Sequence, residues 1–570
     1  MCGICGIKFQ NSQSDDQIKD KFLKVLNNLH HRGPDSQKYY YDENFYIGAT
    51  RLKILDLDKR SDMPMVFDNL IISFNGEIYN FLEIKEKLVS IGEKFITTSD
   101  TEVILRLFKN YRFESFKMLE GMYAICIYDL KTKEIILARD TFGIKPLYYS
   151  FFENKFIFSS ELKSIVKVFQ ELDKINFNSC FSYLVKGSIL EPNTPYKNIL
   201  SLKPGCILIV QNNLNYEIRS IETVSSIIRN SENSEKIYTK DDLFHELNKQ
   251  IIKHTQSDVP LALMLSSGID SIYIQKILNH SITPHTLSYE FCKETKDDEI
   301  KEIKKNFDLN NHITYYVKDS EILNLNTSFN NLSDTLSVDG LQFLLISKFI
   351  HNNNFKVALS GFGGDEIFNS YPSYKYLRFL NNFKKIIPSR LAYLINFNHH
   401  KIQKLSNLIK SVDNLEEMYV HFRSIFSKKD AISFFKKNQI LIEENEINLS
   451  EKISEYTSDI KFINNKIKSL EMNVYLRDQV LKDLDWASMK YSLEIRVPFL
   501  TKSLLKISSS KYLVDSLRKD DLFFYAGLKK TKYYQNYAKK GFATPAGINK
   551  KQKEFVETNL NKFISEHQKK

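Results

Sequence analysis

A cysteine stands second in the chain, within Met1-Cys2-Gly3-Ile4-Cys5-Gly6-Ile7. Removal of the initiator methionine, usual before a small side chain, would leave Cys2 with an α-amine titrating near ~7.7–8.0 beside a thiol near ~8.5. One residue then holds both nucleophile and proton acceptor, as in nucleophiles activated by an N-terminal amine. A buried first strand with incidental cysteines accounts for the same seven residues equally well. Further on, Asn75-Gly76-Glu77 follows an apolar run. The pair Asn75-Gly76 reads as a hairpin turn, or as two donors aimed at a developing oxyanion with Glu77 holding an ammonium. Ser99-Asp100-Thr101-Glu102 opens a helix, where Asp100 fits an N-terminal cap.

Two later clusters share one design. Val259–Leu265 is a continuous apolar run suited to a buried parallel strand, and it ends in Ser266-Ser267-Gly268-Ile269-Asp270-Ser271 before a helical stretch. Val357-Ala358-Leu359 ends likewise in Ser360-Gly361-Phe362-Gly363-Gly364-Asp365-Glu366. Strand, small-residue turn and helix form a phosphate-binding geometry, because free N–H groups at the helix start favour an anion. No lysine follows at the spacing of a Walker loop, and Glu366 breaks the dinucleotide glycine pattern. An aspartate in each loop suggests a magnesium-bridged polyphosphate held between them.

The elements that must position these residues divide the chain. At 570 residues it exceeds a single core, and 42% hydrophobic with 26% charged residues reads as globular. Asp16–Leu29 has one apolar face, and short apolar segments follow at Phe45–Ala49, Leu52–Leu55, Leu70–Phe74, Gly121–Asp129 and Glu134–Arg139. A polar, Asn- and Ser-rich stretch over 211–240 reads as a connection. Beyond it, helices alternate with apolar strands, the pattern of an open parallel sheet with its site at the strand ends. No apolar run approaches a membrane span, and no secretory pattern opens the chain, so a cytoplasmic enzyme is expected. The net charge of +11 is spread among Asn, Ile, Phe and Tyr without a basic block, which argues against nucleic acid. Six scattered cysteines give neither a zinc pattern nor a redox fold.

The motifs fall in the order of a known pattern. Cys2-Gly-Ile-Cys-Gly-Ile7, Arg32-Gly-Pro-Asp35, Arg51-Leu52, Asn75-Gly-Glu-Ile-Tyr-Asn80, Ser99-Asp-Thr-Glu102 and Arg139-Asp-Thr-Phe-Gly-Ile-Lys-Pro-Leu-Tyr148 resemble the class II glutamine amidotransferase domain. The resemblance implies an N-terminal-nucleophile αββα sandwich in which Cys2 attacks the glutamine amide. Asn75 and Gly76 would then form the oxyanion hole, and Arg51, Leu52, Lys53, Ile54, Leu55, Glu77 and Asp100 the glutamine site. The second half, with the two loops, Asp485, Ser492–Leu500 and Lys539-Lys-Gly-Phe542, resembles the synthetase domain of glutamine-dependent asparagine synthetase, a mostly parallel α/β fold like the adenine-nucleotide α-hydrolases. That implies an ATP site of Leu265, Ser266, Ser267, Gly268, Asp270, Ser271, Tyr289, Ser360 and Gly361. Asp270 and Asp365 would hold Mg²⁺, and Lys539 would contact the phosphates. The expected domains are 1–210 and 241–550, with 211–240 as linker and 551–570 as a basic tail read as a solvated helix; 373–470 carries no motif. By family habit a homodimer is a further expectation.

The chain also departs from the pattern. Ser267 replaces a glycine, Trp486 a basic residue, Thr501 an acid, and Phe362 the acid that usually lies between the loop's glycines. A phenylalanine neither pairs with an ammonium nor takes a proton. Either Glu366 or another acid substitutes and aspartate remains the acceptor, or the pocket serves another carboxylate, such as a sugar uronate, with Trp486 suited to stacking or to the core. A glutaminase with a degenerate second half is the remaining alternative.

Overall fold

The computed structural model describes residues 2–10, 15–279, 285–291, 311–318, 320–322, 329, 332–383, 408–443, 447–528 and 548–568. Among these residues the first half builds two six-stranded antiparallel sheets. One sheet contains β1 (Cys2–Phe9), β2 (Ser36–Asp42), β3 (Phe45–Arg51), β8 (Tyr148–Phe152), β9 (Lys155–Ser159) and β10 (Leu200–Ser201). The other contains β4 (Met65–Phe67), β5 (Leu70–Ile78), β6 (Gly121–Asp129), β7 (Glu134–Arg139), β11 (Cys206–Val210) and β12 (Tyr216–Ser220). The sheet orders are β10-β8-β9-β1-β3-β2 and β12-β11-β7-β6-β5-β4.

Side-chain alternation along β1 explains the layering. Cys2 and Ile4 face the core between the sheets, with Phe45, Ile47, Phe74 and Ile125. Cys5 and Ile7 face the other way, onto Phe22, Val25 and Leu26 of the helix Asp15–Asn28. The helix Asp100–Tyr111 covers the second sheet with Val103, Leu107 and Phe108. An αββα sandwich results.

The second half is built on a parallel sheet ordered β15 (His312–Val317), β14 (His285–Phe291), β13 (Leu261–Met264), β16 (Val357–Leu359), β17 (Glu494–Arg496). Every pair in it is parallel. The helices Lys240–Lys253, Ile269–Leu278 and Gly340–Asn352 supply Leu247, Ile274 and Leu344 to one core with the strands. No described helix is long and apolar enough to cross a membrane.

Several expectations need correction. Asn75-Gly76 is no hairpin: both residues lie inside β5, opposite Ala124 and Tyr123. Ser99, not Asp100, caps its helix, accepting the Glu102 N–H. Leu52–Leu55 is loop. The stretch 211–240 carries β12 and the helix Val224–Asn233, whose Val224, Ile227 and Ile228 enter the synthetase-half core. Serine and asparagine between those apolar positions hid their helical spacing. The tail is helical as expected, over Ile548–Gln568, but not solvated all round: it buries Val556, Leu560 and Ile564 against Cys180, Tyr183 and Leu184.

Candidate active site

β1 runs between β9 and β3, which places Cys2 at its start opposite Arg51. The residue is buried, and burial raises the thiol's pKa, with a backbone hydrogen bond from Leu52 acting to lower it. Such a thiol stays protonated until a base is at hand. The Cys2 nitrogen donates to Asn75 Oδ1 at 3.1 Å, and its carbonyl accepts from Arg32 Nε at 3.2 Å. Asn75 Nδ2 is buried with no hydrogen-bond partner among the described residues. One end of the amide thus holds the Cys2 backbone while the other is free to donate. Gly76 is needed for close approach, since a Cβ there would lie 2.0 Å from the Met122 carbonyl oxygen.

Glu77 follows on the same strand. Its Oε2 accepts from Arg496 Nη2 at 2.9 Å, while its Oε1 is buried and unpartnered among the described residues. Asp100 Oδ2 accepts the Ile78 N–H at 3.1 Å, and burial pushes its carboxyl up to about 6. Arg51 is occupied differently from the expectation. Its guanidinium donates to the carbonyls of Leu55 (2.9 Å) and Asp56 (2.6 Å) and pairs with Asp62 at 3.0 Å, so here it ties down the loop that follows β3. Within that loop Leu52 and Ile54 pack on Val357 and Met489 of the other half, and the Ile54 carbonyl accepts the Asp258 N–H at 2.9 Å. Lys53 Nζ donates to the Leu57 carbonyl, and Leu55 is half-buried against the inter-sheet core.

In the second half the two loops meet because β13 and β16 are neighbours. Their approach depends on missing side chains. A Cβ on Gly361 would lie 2.9 Å from Asp270 Cβ, and one on Gly364 would lie 2.4 Å from Asp270 Oδ1. Gly363 takes a left-handed φ of 93° at the start of the short helix Gly364–Ile367. The first loop is locked by Ser271 Oγ, which accepts from Ser266 N–H at 3.1 Å and lies 3.0 Å from the Gly268 carbonyl. Leu265 donates to the Leu287 carbonyl, and Ser360 N–H to the Arg496 carbonyl, both at 2.9 Å. Ser267 is fully buried, so its side chain packs inside rather than on the loop's open side. Tyr289 lies on β14, but its side chain, like Lys539, falls outside the described residues.

A lysine not singled out from the sequence sits between the acids. Lys519 Nζ lies 2.5 Å from Asp270 Oδ2 and 2.5 Å from Asp365 Oδ1. In the run Arg518-Lys519-Asp520-Asp521 it reads as surface charge, and only its approach to both aspartates marks it. Asp270 Oδ1 is buried without a partner among the described residues. Two carboxylates suit a magnesium that draws its other oxygens from phosphates and water. A protein-only cage is not present, for no group of three metal-binding side chains occurs among the described residues.

Phe362 turns its ring onto Phe343, edge to face at 5.5 Å. Four residues on, Glu366 is fully buried; its Oε1 accepts from Tyr371 Oη at 3.0 Å, and its Oε2 has no partner among the described residues. Burial pushes its carboxyl up to about 7. Trp486 belongs to the core: its indole packs on Gly340 and Phe329 and donates to Asp483 Oδ1 at 3.0 Å, leaving no face for a sugar.

The halves share a buried charged interface. Arg32 Nη2 reaches Asp485 at 2.9 Å, with Lys145 Nζ 3.5 Å from the same carboxylate. Arg139 grips Glu191 through both nitrogens at 2.9 and 3.2 Å, and Arg477 and Lys482 approach Glu191 at 3.5 and 3.6 Å.

Fold and geometry together define the class: an αββα half of the N-terminal-nucleophile amidotransferase kind joined to a parallel α/β half with two glycine-rich loops meeting at its strand ends. Residues 1–219 match the family described as glutamine amidotransferase domain, and 242–559 the family described as asparagine synthase. The chain belongs to the asparagine synthase family. It is 28% identical to asparagine synthetase [glutamine-hydrolyzing] 1 of Bacillus subtilis, over 89% of this chain and 81% of that one. It is 33% identical to a putative asparagine synthetase [glutamine-hydrolyzing] 2 of Methanocaldococcus jannaschii, over 70% of this chain and 82% of that one. A fungal relative, amidase chry2 of Gibberella zeae, is 25% identical over 63% of this chain and 56% of its own length. The chain is therefore a glutamine-dependent amidotransferase of a ligase family that uses ATP.

Proposed function

We propose that the chain is a glutamine-hydrolysing asparagine synthetase. Once Met1 is removed, the nitrogen held by Asn75 becomes the α-amine that takes the Cys2 proton. The thiolate attacks the glutamine side-chain carbonyl, and Asn75 Nδ2 and the Gly76 N–H receive the developing oxyanion. Collapse releases ammonia and leaves a thioester, which water cleaves to glutamate. Glu77 Oε1 and Asp100 hold the substrate's ammonium. The free buried Nδ2 of Asn75, beside a nucleophile tethered through the same amide, is the observation that most supports this half of the reading.

In the second half, ATP lies across the two loops with its phosphates toward Asp270, Asp365 and Lys519. Magnesium bound at the two aspartates would neutralise charge on the phosphates. Leu265, Ser360 and Gly361 flank the AMP portion. The acceptor carboxylate attacks the α-phosphorus, pyrophosphate leaves, and the acyl-AMP is a far better electrophile than a free carboxylate. Ammonia arriving through the buried interface attacks the acyl carbon; amide and AMP leave, and one proton is given up. Glu366, four residues on, is the acid that would serve in place of the residue that Phe362 replaces. Its carboxyl, pushed up to about 7, suits proton exchange near neutrality.

Phe362 also favours a second reading, in which the acceptor is a different carboxylate, such as a uronate. AMP release from ATP, measured with aspartate and with a panel of uronates and small acids, separates the two. Aspartate-dependent AMP is the expected outcome. AMP with a uronate and none with aspartate rejects the asparagine assignment, and glutamate release with no ATP use under any acceptor rejects both.

A further inference from the structure

The carboxylate proposed for the glutamine ammonium is held by the other half of the molecule. Arg496, on β17 of the parallel sheet, is fully buried. Its Nη2 donates to Glu77 Oε2 at 2.9 Å, its Nε to Glu494 Oε1 at 2.5 Å, and its Nη1 to the carbonyls of His254 (2.8 Å) and Gln256 (2.6 Å). The guanidinium is thus fixed by four acceptors, only one of them in the amidotransferase half. The same residue's carbonyl accepts the Ser360 N–H at 2.9 Å, at the start of the second ATP loop. Charge points the same way. Burial raises the pKa of Glu77 and Asp100, Glu494 adds to the rise in both, and Arg496 acts to lower it, while Glu494 itself, against its burial, is held down at about 2 chiefly by Arg496. Lys145, which also acts on Glu494, lies 3.5 Å from Asp485. Glu77 Oε1 is a buried oxygen with no partner among the described residues, left to meet an incoming cation.

We propose that Arg496 is a positioning residue for the glutamine reaction, supplied by the ATP-using half: it holds Glu77 by one oxygen, leaves the other for the substrate's α-ammonium, and joins that hold through its main chain to the Ser360 loop. The planar guanidinium, fixed by Glu494 and two carbonyls, presents Nη2 to Glu77 in one direction, which the flexible ammonium of a lysine would do less well. The inference rests on the reading of Glu77 as an ammonium seat.

Kinetics of the full-length enzyme test it, using wild type, E77Q, R496K, R496M and E77Q/R496M. Glutamine hydrolysis is followed by glutamate release, and the synthetase reaction by AMP release with ammonium chloride as nitrogen source. Arg496→Met should raise KM for glutamine about tenfold or more with a smaller change in kcat, Arg496→Lys should recover part of it, and ammonia-driven AMP release should stay within about twofold. In the E77Q background R496M should add little further. An unchanged glutamine KM in R496M overturns the inference. So does an undiminished effect in the E77Q background, or a parallel fall of both activities and the melting temperature. If R496M does not fold, R496K carries the test, and an unchanged KM there is equally fatal. An unchanged KM in E77Q removes the underlying reading of Glu77, whereas a raised KM in E77Q with normal Arg496 variants removes this inference alone.

Discussion

At the scale of single residues, the two ends of one side chain divide the work. Asn75 Oδ1 is spent on the Cys2 nitrogen, and Nδ2 is buried and free. A preorganised donor of this kind acts mainly on the transition state, where charge on oxygen is greatest. Cys2→Ala should abolish glutamate release from glutamine while ammonia-driven AMP formation continues. Asn75→Ala should lower the kcat of glutamine hydrolysis by ~10²–10³. Steady-state assays with the two nitrogen sources check both. Cys5, three residues from the nucleophile, needs no role in catalysis, because it faces the helix layer.

At the scale of elements, the proposed ATP site is a contact between two strand ends. Neither loop carries a long side chain at the closest point; Gly361 and Gly364 let the second loop rest against Asp270. A methyl group on Gly361 would meet both Asp270 Cβ at 2.9 Å and the Ser271 nitrogen at 3.0 Å, neither of which is a flexible chain end. Gly361→Ala should therefore spread the loops and raise KM for ATP about tenfold or more, leaving ATP-free glutamine hydrolysis unchanged. AMP and glutamate release measured on one preparation separate the two effects. The first loop has its own lock in Ser271, so the displacement should fall on the Ser360 side.

At the scale of the whole molecule, buried ion pairs cross the interface where apolar packing would have sufficed for adhesion. Removing one partner of such a pair strands a charge. Glu191 illustrates the pH consequence. Burial acts to raise its pKa, but Arg139, Lys482 and Arg477 outweigh it and hold the carboxyl at about 2. Its folded value lies below the unfolded value near ~4.3, so its contribution is complete above ~4.3 and is lost as pH falls toward 2. The difference in melting temperature between wild type and E191Q should be level from neutral pH down to about 5 and should shrink between about 4 and 2. A difference that stays constant across that acid range is the contrary result.

What the sequence alone determined is local in the chain. A cysteine at position two, glycine-rich turns after apolar runs, and motifs in a fixed order were enough for the family and its two halves, because each depends on neighbours a few residues away. Polar interruptions hid the helix Val224–Asn233, and a lysine-rich composition hid the docked face of Ile548–Gln568. The tertiary structure decided the rest. Lys519 became a candidate only when folding brought it to Asp270 and Asp365. Trp486 became core rather than a sugar platform, and Ser267 turned inward. Glu77 meets a guanidinium 419 positions away, a contact no spacing rule can reach. Local motifs specify which chemistry a chain can carry; the charges that tune it come from whichever distant strands the fold lays beside it.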